Sequence, residues 1–231
     1  MEFEKFGKIA RLSRDIVITE KIDGTNAQVY IVQINDIKFD NRLCTGEVDE
    51  FFDNYCLYQK KGICMFAGSR KRWLDTTSKG DNYGFAKWVK ANAEELLKLG
   101  EGRHFGEWYG KGIQRNYGLD EKRFSLFNVR RWHDKRLEAR LISVNPKTKE
   151  EKWTTEAPHC CEVVPILYQG PWMDEGWVYA PQKFIEELNL FGSKVSPGFM
   201  KPEGIVLFHL ASGQLFKKTI ENDEKPKTLL T

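Results

Sequence analysis

Strand-like runs outnumber helical ones and do not alternate with them, and this constrains the fold more than any other feature of the chain. Regular alternation would call for a parallel, doubly wound sheet. Its absence calls for an α+β domain of antiparallel sheets with flanking helices. "DIVITEKIDG" and "NAQVYIVQI" are β-rich runs on either side of an Asp-Gly-Thr turn, which predicts a hairpin or closely linked strand pair. "GICMFAGS", "RHFGEWYG", "RFSLFNVRRW", "ARLISV" and "CEVVPILY" read as further strands. "EGIVLFHL" and "GQLFKKTI" close the chain as two strands joined by an Ala-Ser-Gly turn. Two stretches have helical spacing: residues 82–99, ending before Gly100, and "APQKFIEELNLFG", with Pro181 near its start and Gly192 after its end. No repeat, low-complexity linker or boundary composition interrupts the sequence, so a single domain over residues 1–231 is expected, with a polar, fraying tail from Glu221.

Composition narrows the function classes. With 41% hydrophobic and 30% charged residues the chain is an ordinary soluble globular protein. Its net charge of +3 is too small for a histone-like binder, so any polyanion must be held by a local patch. "MEFEKFGKIARLSRD" lacks the apolar core of a signal peptide, and no run is long enough to span a membrane. The five cysteines, Cys44, Cys56, Cys64, Cys160 and Cys161, form no pair of CxxC units, and their odd number argues for reduced thiols in a cytoplasm. "HCC" at 159–161 lacks the spaced partners of a closed tetrahedral metal site.

The stretch "TEKIDGTNAQVY" places Lys21 between a carboxylate and a turn, with apolar strand residues on both sides. A lysine at the edge of a core is costly unless its amine is used. On spacing alone the leading reading is a surface hairpin whose Asp-Gly turn follows a lysine. Other strand-associated polar sites follow in order: Arg70 in "GSRKRWL", Glu107 in "FGEWYG", Phe127 in "SLFNV", Glu203 in "PEGIV", and Lys217 with Lys218 in "LFKKTI".

This ordered set resembles the covalent nucleotidyltransferase superfamily of polynucleotide ligases and mRNA capping enzymes, over almost the whole chain from Glu20 to Lys218. Asn26 makes the first motif KxDGxN, similar to RNA ligases that seal nicks in duplex RNA in phages and in kinetoplastid editing, where DNA ligases and capping enzymes carry Arg. Many of those RNA ligases have His at the position of Asp23. The resemblance implies a nucleotidyltransferase (adenylyltransferase) fold and an ATP-dependent RNA ligase that needs Mg²⁺ or Mn²⁺ and acts on nicked or broken RNA ends. In such an enzyme Lys21 attacks the α-phosphate of ATP, the AMP passes to a 5′-phosphate end, and a 3′-hydroxyl displaces it. A lysine amine attacks only when unprotonated, a form favoured by partial burial, neighbouring lysines and a divalent cation.

The resemblance also implies roles. Glu107 would contact the ribose and Glu203 the metal. Phe127 would stack on the purine, a core ring being the other reading, and Glu20 would read the adenine amino group, an exposed strand residue being an equal reading on sequence alone. Arg70 would bind phosphate through its two-pronged guanidinium, and Asn26 would orient the 5′-phosphate and 3′-hydroxyl. Lys71, Arg72 and "RRWHDKR" at 130–136 read either as an RNA patch or as solvated surface, with the solvated reading ahead. Asn128, where the family often has Asp, has no assigned role. The family's closing strand is usually Lys-x-Lys. Here the lysines are adjacent and face opposite ways. Alignment on the preceding apolar pair favours Lys217, with Thr219 where a second lysine would stand and Lys218 as the alternative.

Such enzymes commonly add an OB barrel or helical module after this strand. None follows here, so a minimal ligase is expected, or a core that takes its clamp from an accessory protein. A small DNA ligase, a capping guanylyltransferase and a nucleic-acid end-binding module without catalysis are the competing readings. A phage source, and with it the cytoplasm of a bacterial host, suits so compact a ligase.

Overall fold

The computed structural model describes residues 2–37, 45–136, 139–172 and 179–223; Cys44 and most of the expected tail lie outside them. In chain order the elements begin with β1 (Ile16–Lys21), β2 (Thr25–Gln33), α1 (Thr45–Tyr55), β3 (Cys56–Lys60), β4 (Ile63–Ser69) and β5 (Trp73–Leu74). Next come α2 (Phe85–Ala91), α3 (Ala93–Leu96), β6 (Gly102–Gly110), β7 (Lys122–Leu126) and β8 (Trp132–His133). β9 (Leu141–Val144), β10 (Glu151–Trp153), β11 (Thr155–Glu156), β12 (Cys161–Val163) and β13 (Ile166–Gly170) follow. The last are α4 (Ala180–Phe191), β14 (Gly204–His209) and β15 (Gln214–Thr219). The fold is mixed α+β and mostly sheet. Among the described residues no helix is long and apolar enough to cross a membrane.

The chain divides into two compact units, one of Met1–Asp23 with Val164–Thr231 and one of Gly24–Val163. The first holds an antiparallel sheet of order β13-β1-β14-β15. Alternation along β1 sends Ile16 and Ile18 to one face, where with Ile205 and Leu207 of β14 they pack on Ala180, Ile185 and Leu188 of α4. Burying each of these Ile and Leu side chains contributes about 1.5–3 kcal/mol. Pro181 lies in the first turn of α4, where its missing N–H leaves no intrahelical bond unmade, and Gly192 follows the last residue with φ 79°.

The second unit holds a sheet of order β12-β7-β6-β2-β4-β3, with β5 paired to β4. Ala27, Val29 and Ile31 of β2 are buried, as are Phe85, Ala86 and Val89 of α2. Rings close this layer: Phe85 lies 5.1 Å from Phe124 and Trp88 lies 5.2 Å from Trp108, centroid to centroid. A second aromatic cluster gathers Phe51, Phe52 and Tyr55 of α1 around Phe66 and Trp73.

Four expectations change. β1 and β2 form no hairpin, because each already has both edges occupied: β1 by β13 and β14, β2 by β4 and β6. The helical stretch 82–99 starts at Phe85 and breaks at Asn92, whose side-chain amide donates to the Trp88 carbonyl. "CEVVPILY" splits at Pro165, which has no N–H to continue a ladder: β12 pairs with β7 and β13 with β1. The sheets are not wholly antiparallel either, since β12 runs parallel to β7 and β11 parallel to β8.

Candidate active site

In the first unit, β1 carries Val17, Thr19 and Lys21 on the face turned away from α4. The Nζ of Lys21 donates to Oε2 of Glu203 at 2.6 Å, with the lysine side chain 20% exposed and the glutamate 3%. Cross-strand register extends this face. Thr19 lies opposite Val206, which lies opposite Lys217, and Lys21 lies opposite Gly204, which lies opposite Thr219. Directly opposed residues of an antiparallel pair share a face. Lys21, Lys217 and Thr219 therefore stand together on it, with Glu203 at the head of β14. Gly204 has φ 156°, and a Cβ there would lie 2.2 Å from the Lys218 carbonyl oxygen, so the glycine of "PEGIV" lets β15 close on β14.

Glu20 and Lys218 fall on the other face, opposite Ile205 from either side. The Glu20 carboxylate is buried and accepts from Ser193 Oγ at 2.6 Å and from the Lys194 and Val195 N–H groups at 2.7 and 3.0 Å. Burial raises its pKa above the ordinary 4.5, while these donors pull the other way. Lys218 lies 3.7 Å from Asp223.

In the second unit, one face of the sheet carries a continuous row: Asn26 opposite Glu107, Glu107 opposite Ser125, Ser125 opposite Glu162. Glu107 Oε1 accepts the Gly24 N–H at 3.2 Å. A Cβ on Gly24 would lie 2.4 Å from the Trp108 carbonyl oxygen, which explains the glycine of "KIDG": the chain crosses directly over β6. Two residues from Glu107 on the same face, Phe105 is 46% exposed. Phe127, 39% exposed, donates its N–H to the Phe105 carbonyl at 3.0 Å. Phe127 lies just past β7, so "RFSLFNVRRW" is no single strand. Asn128 makes the turn, its carbonyl accepting the Arg131 and Trp132 N–H groups and its side-chain oxygen accepting Arg131 N–H.

Sequence reasoning passed over Phe105 and Ser125. The signal lay in strand alternation, each standing two residues before a chosen residue. The Ser125 hydroxyl is buried with no hydrogen-bond partner among the described residues, and it sits beside Glu107 on the same face of the sheet.

Arg70 is exposed on the turn between β4 and β5, where Ser69 Oγ accepts the Lys71 and Arg72 N–H groups at 3.3 Å. Arg72 donates to the Gly80 carbonyl at 2.6 Å. Two of the four basic residues in the "RRWHDKR" run make structural contacts, while Arg130 and Lys135 are exposed. Arg131 donates to the Leu99 carbonyl at 2.6 Å, and Arg136 pairs with Asp134 at 2.9 Å and Glu162 at 3.4 Å. Glu162 also accepts from Arg123 and from the Tyr109 hydroxyl, whose pKa is pushed up by burial and by that carboxylate.

The donor chemistry suits a hard cation. Among the described residues no three metal-ligating groups cluster, so a cation on the Lys21 face would lean on Glu203, with water and phosphate oxygens completing its shell. That is how Mg²⁺ is commonly bound.

The first unit thus presents a lysine paired with a buried carboxylate and a further lysine on the same face, and the second a sheet face bearing a carboxylate and exposed rings. The RNA ligase family model matches residues 14–217, and the chain belongs to the RNA ligase family. Curated proteins give no match. Among solved structures, an apo mutant of Naegleria gruberi RNA ligase matches with TM-score 0.48 and 17% identity, covering 94% of this chain and 52% of that one. A mutant of the same ligase with ATP and Mn matches with TM-score 0.48 and 17% identity, covering 93% and 52%. Its form with PPi gives TM-score 0.46 and 17% identity, covering 90% and 50%. The chain thus spans about half the length of the solved structures it matches.

Proposed function

We propose that residues 1–231 form the nucleotidyltransferase core of an ATP-dependent RNA ligase that joins a 3′-hydroxyl to a 5′-phosphate through a lysyl-AMP and then an RNA-adenylate. The observation that carries this reading is the Lys21–Glu203 pair on the face that also bears Lys217, in a chain of the RNA ligase family. In the first step the Lys21 amine attacks the α-phosphorus of ATP. A P–N bond forms, the bond to the β-phosphate oxygen breaks, pyrophosphate leaves with the electron pair, and the nitrogen gives up its excess proton to water. Glu203 holds the amine on its line of attack, and Lys217 opposes the charge that gathers on the α-phosphate oxygens. A bound Mg²⁺ or Mn²⁺ would neutralise phosphate charge and favour the unprotonated amine, with Glu203 as its carboxylate.

In the second step a 5′-phosphate oxygen displaces the lysine, breaking the P–N bond and restoring the amine. In the third, the 3′-hydroxyl oxygen attacks the 5′-phosphorus and AMP leaves. Glu107 accepts the ribose hydroxyls. Phe127 stacks on the adenine, a contact worth about 1–3 kcal/mol. Asn26 and Arg70 hold phosphate. Glu20 anchors the 193–195 segment from the other face of β1.

Incubation with α-labelled ATP and Mg²⁺ or Mn²⁺, resolved on a denaturing gel beside Lys21→Ala, tests the reading. The expected result is a covalent label on the native chain only, chased off by nicked RNA in preference to nicked DNA. A native chain that takes no label would leave an end-binding module. A chase by DNA alone would move the assignment to DNA ligation.

A further inference from the structure

β9 and β10 pair only with each other, forming a two-stranded ribbon whose residues are almost all exposed. An isolated ribbon of this size is marginal in water, yet this one is well built. At its tip Asn145 N–H donates to the Glu150 carbonyl at 2.8 Å, Lys149 N–H to the Asn145 carbonyl at 2.8 Å, and Lys147 N–H to Asn145 Oδ1 at 3.0 Å. At its root Arg140 and Thr154 exchange hydrogen bonds of 2.8 and 2.9 Å, and the Arg140 guanidinium donates to the Val129 carbonyl. Val129 N–H in turn donates to the Phe127 carbonyl at 2.9 Å. The ribbon is therefore tied to the turn that presents the candidate base-stacking ring.

Charge and ring surface say what the ribbon is for. Lys147, Lys149 and Lys152 are exposed, and among the described residues none has a carboxylate partner. The two nearby acids keep their charge but are held by neutral donors rather than by these lysines: Glu150 Oε2 accepts the Thr148 hydroxyl at 3.1 Å and Glu151 Oε2 accepts the Trp153 indole N–H at 3.0 Å. That second bond fixes the indole, which stays 49% exposed, beside the exposed Leu141 opposite it. Three free ammonium groups and a fixed aromatic plane are complementary to a phosphodiester chain with sugars and bases to stack on. A peptide partner of the same fit would need an acidic, aromatic-seeking surface, for which nothing in an RNA ligase calls.

We propose that the ribbon of residues 140–154 is an RNA-binding arm. Lys147, Lys149 and Lys152 contact backbone phosphates of the substrate away from the reacting ends, and Trp153 packs on a sugar or base. The proposal rests on the ligase reading for its choice of RNA, and it adds a surface outside the nucleotide-handling residues.

The test compares the native chain with the triple variant Lys147→Gln, Lys149→Gln, Lys152→Gln, with the triple Lys→Arg variant, and with Trp153→Ala. Affinity for a nicked RNA duplex is measured by titration across a salt series, and labelling by α-labelled ATP is measured in parallel. The Gln variant should bind the RNA roughly tenfold or more weakly, with the slope of log K against log salt shallower by about 2, as the loss of two to three phosphate contacts requires. The Arg variant should restore both values, and Trp153→Ala should weaken binding without changing the slope. Labelling and thermal unfolding of the Gln variant should match the native chain. Unchanged affinity and salt slope in the Gln variant would overturn the proposal. Failure of the native chain to label would remove the ligase reading, and the salt series would still decide whether the ribbon holds RNA.

Discussion

Glu20 and Lys21 are adjacent in sequence and point to opposite faces of one strand, and their side chains do different work. Lys21 is turned to the face that also bears Lys217 and is tied to Glu203. Glu20 is sealed on the helix side under three donors from residues 193–195. Because burial raises its pKa above 4.5, the folded state holds the Glu20 proton more tightly than the unfolded chain. The stability Glu20 adds is therefore fully present below pH 4.5 and is lost as the pH rises through its raised value. Glu20→Gln removes the titration while its amide oxygen still accepts the Lys194 and Val195 N–H groups. The difference in urea midpoint between Glu20→Gln and the native chain should therefore grow in favour of the variant from pH 4 to pH 8. A difference that stays flat over that range would show that the donors, not burial, set the proton affinity. Nothing in "TEK" distinguished these two residues beyond strand alternation, and the adenine-reading role given to Glu20 came from the resemblance. The structure offers its carboxylate a closer set of partners.

At the scale of elements, β15 decides which closing lysine shares a face with Lys21. Register sets Lys217 opposite Val206 and Thr19, on the Lys21 face, and sets Lys218 opposite Ile205 and Glu20. Lys217→Ala should slow formation of the covalent adduct by about 10²–10³-fold, the usual cost of removing a preorganised charge from a transition state. Lys218→Ala, a change on the opposite face, should leave the rate within about twofold. Both are read from the time course of labelling by α-labelled ATP. Equal losses would mean the strand pairs in another register. Elements with strong local signals were legible: α4 between Pro181 and Gly192, and the β14–β15 hairpin around its Ala-Ser-Gly turn. The expected β1–β2 hairpin was not, because an Asp-Gly turn between two β-rich runs has the same local pattern whether the strands pair with each other or with distant partners. Partner choice here depends on β6, β13 and β14, which are remote in sequence.

For the whole molecule, membership of the RNA ligase family was legible, because the polar positions of its motifs follow in order along the chain. The division into two units was not. Its boundaries fall between Asp23 and Gly24, inside "KIDG", and between Val163 and Val164, inside an apolar run, where no linker composition marks them. Compactness there arises from long-range pairing, which local composition does not report. The division has a consequence for dissection. The second unit is one continuous segment, Gly24–Val163, with its own sheet and aromatic core, whereas the first is assembled from two separated segments. A continuous unit with its own core has what independent folding requires. Excised residues 24–163 should therefore unfold cooperatively in urea, with fluorescence and circular dichroism transitions coincident. The fragment retains Glu107, Phe105 and Phe127 but lacks Lys21, Glu203 and Lys217. It should accordingly bind adenine nucleotide weakly by titration and take no covalent label from α-labelled ATP. A fragment that melts without a cooperative transition would show that the second unit needs the first to hold its sheet. A fragment that folds and still accepts label would move the nucleophile away from Lys21.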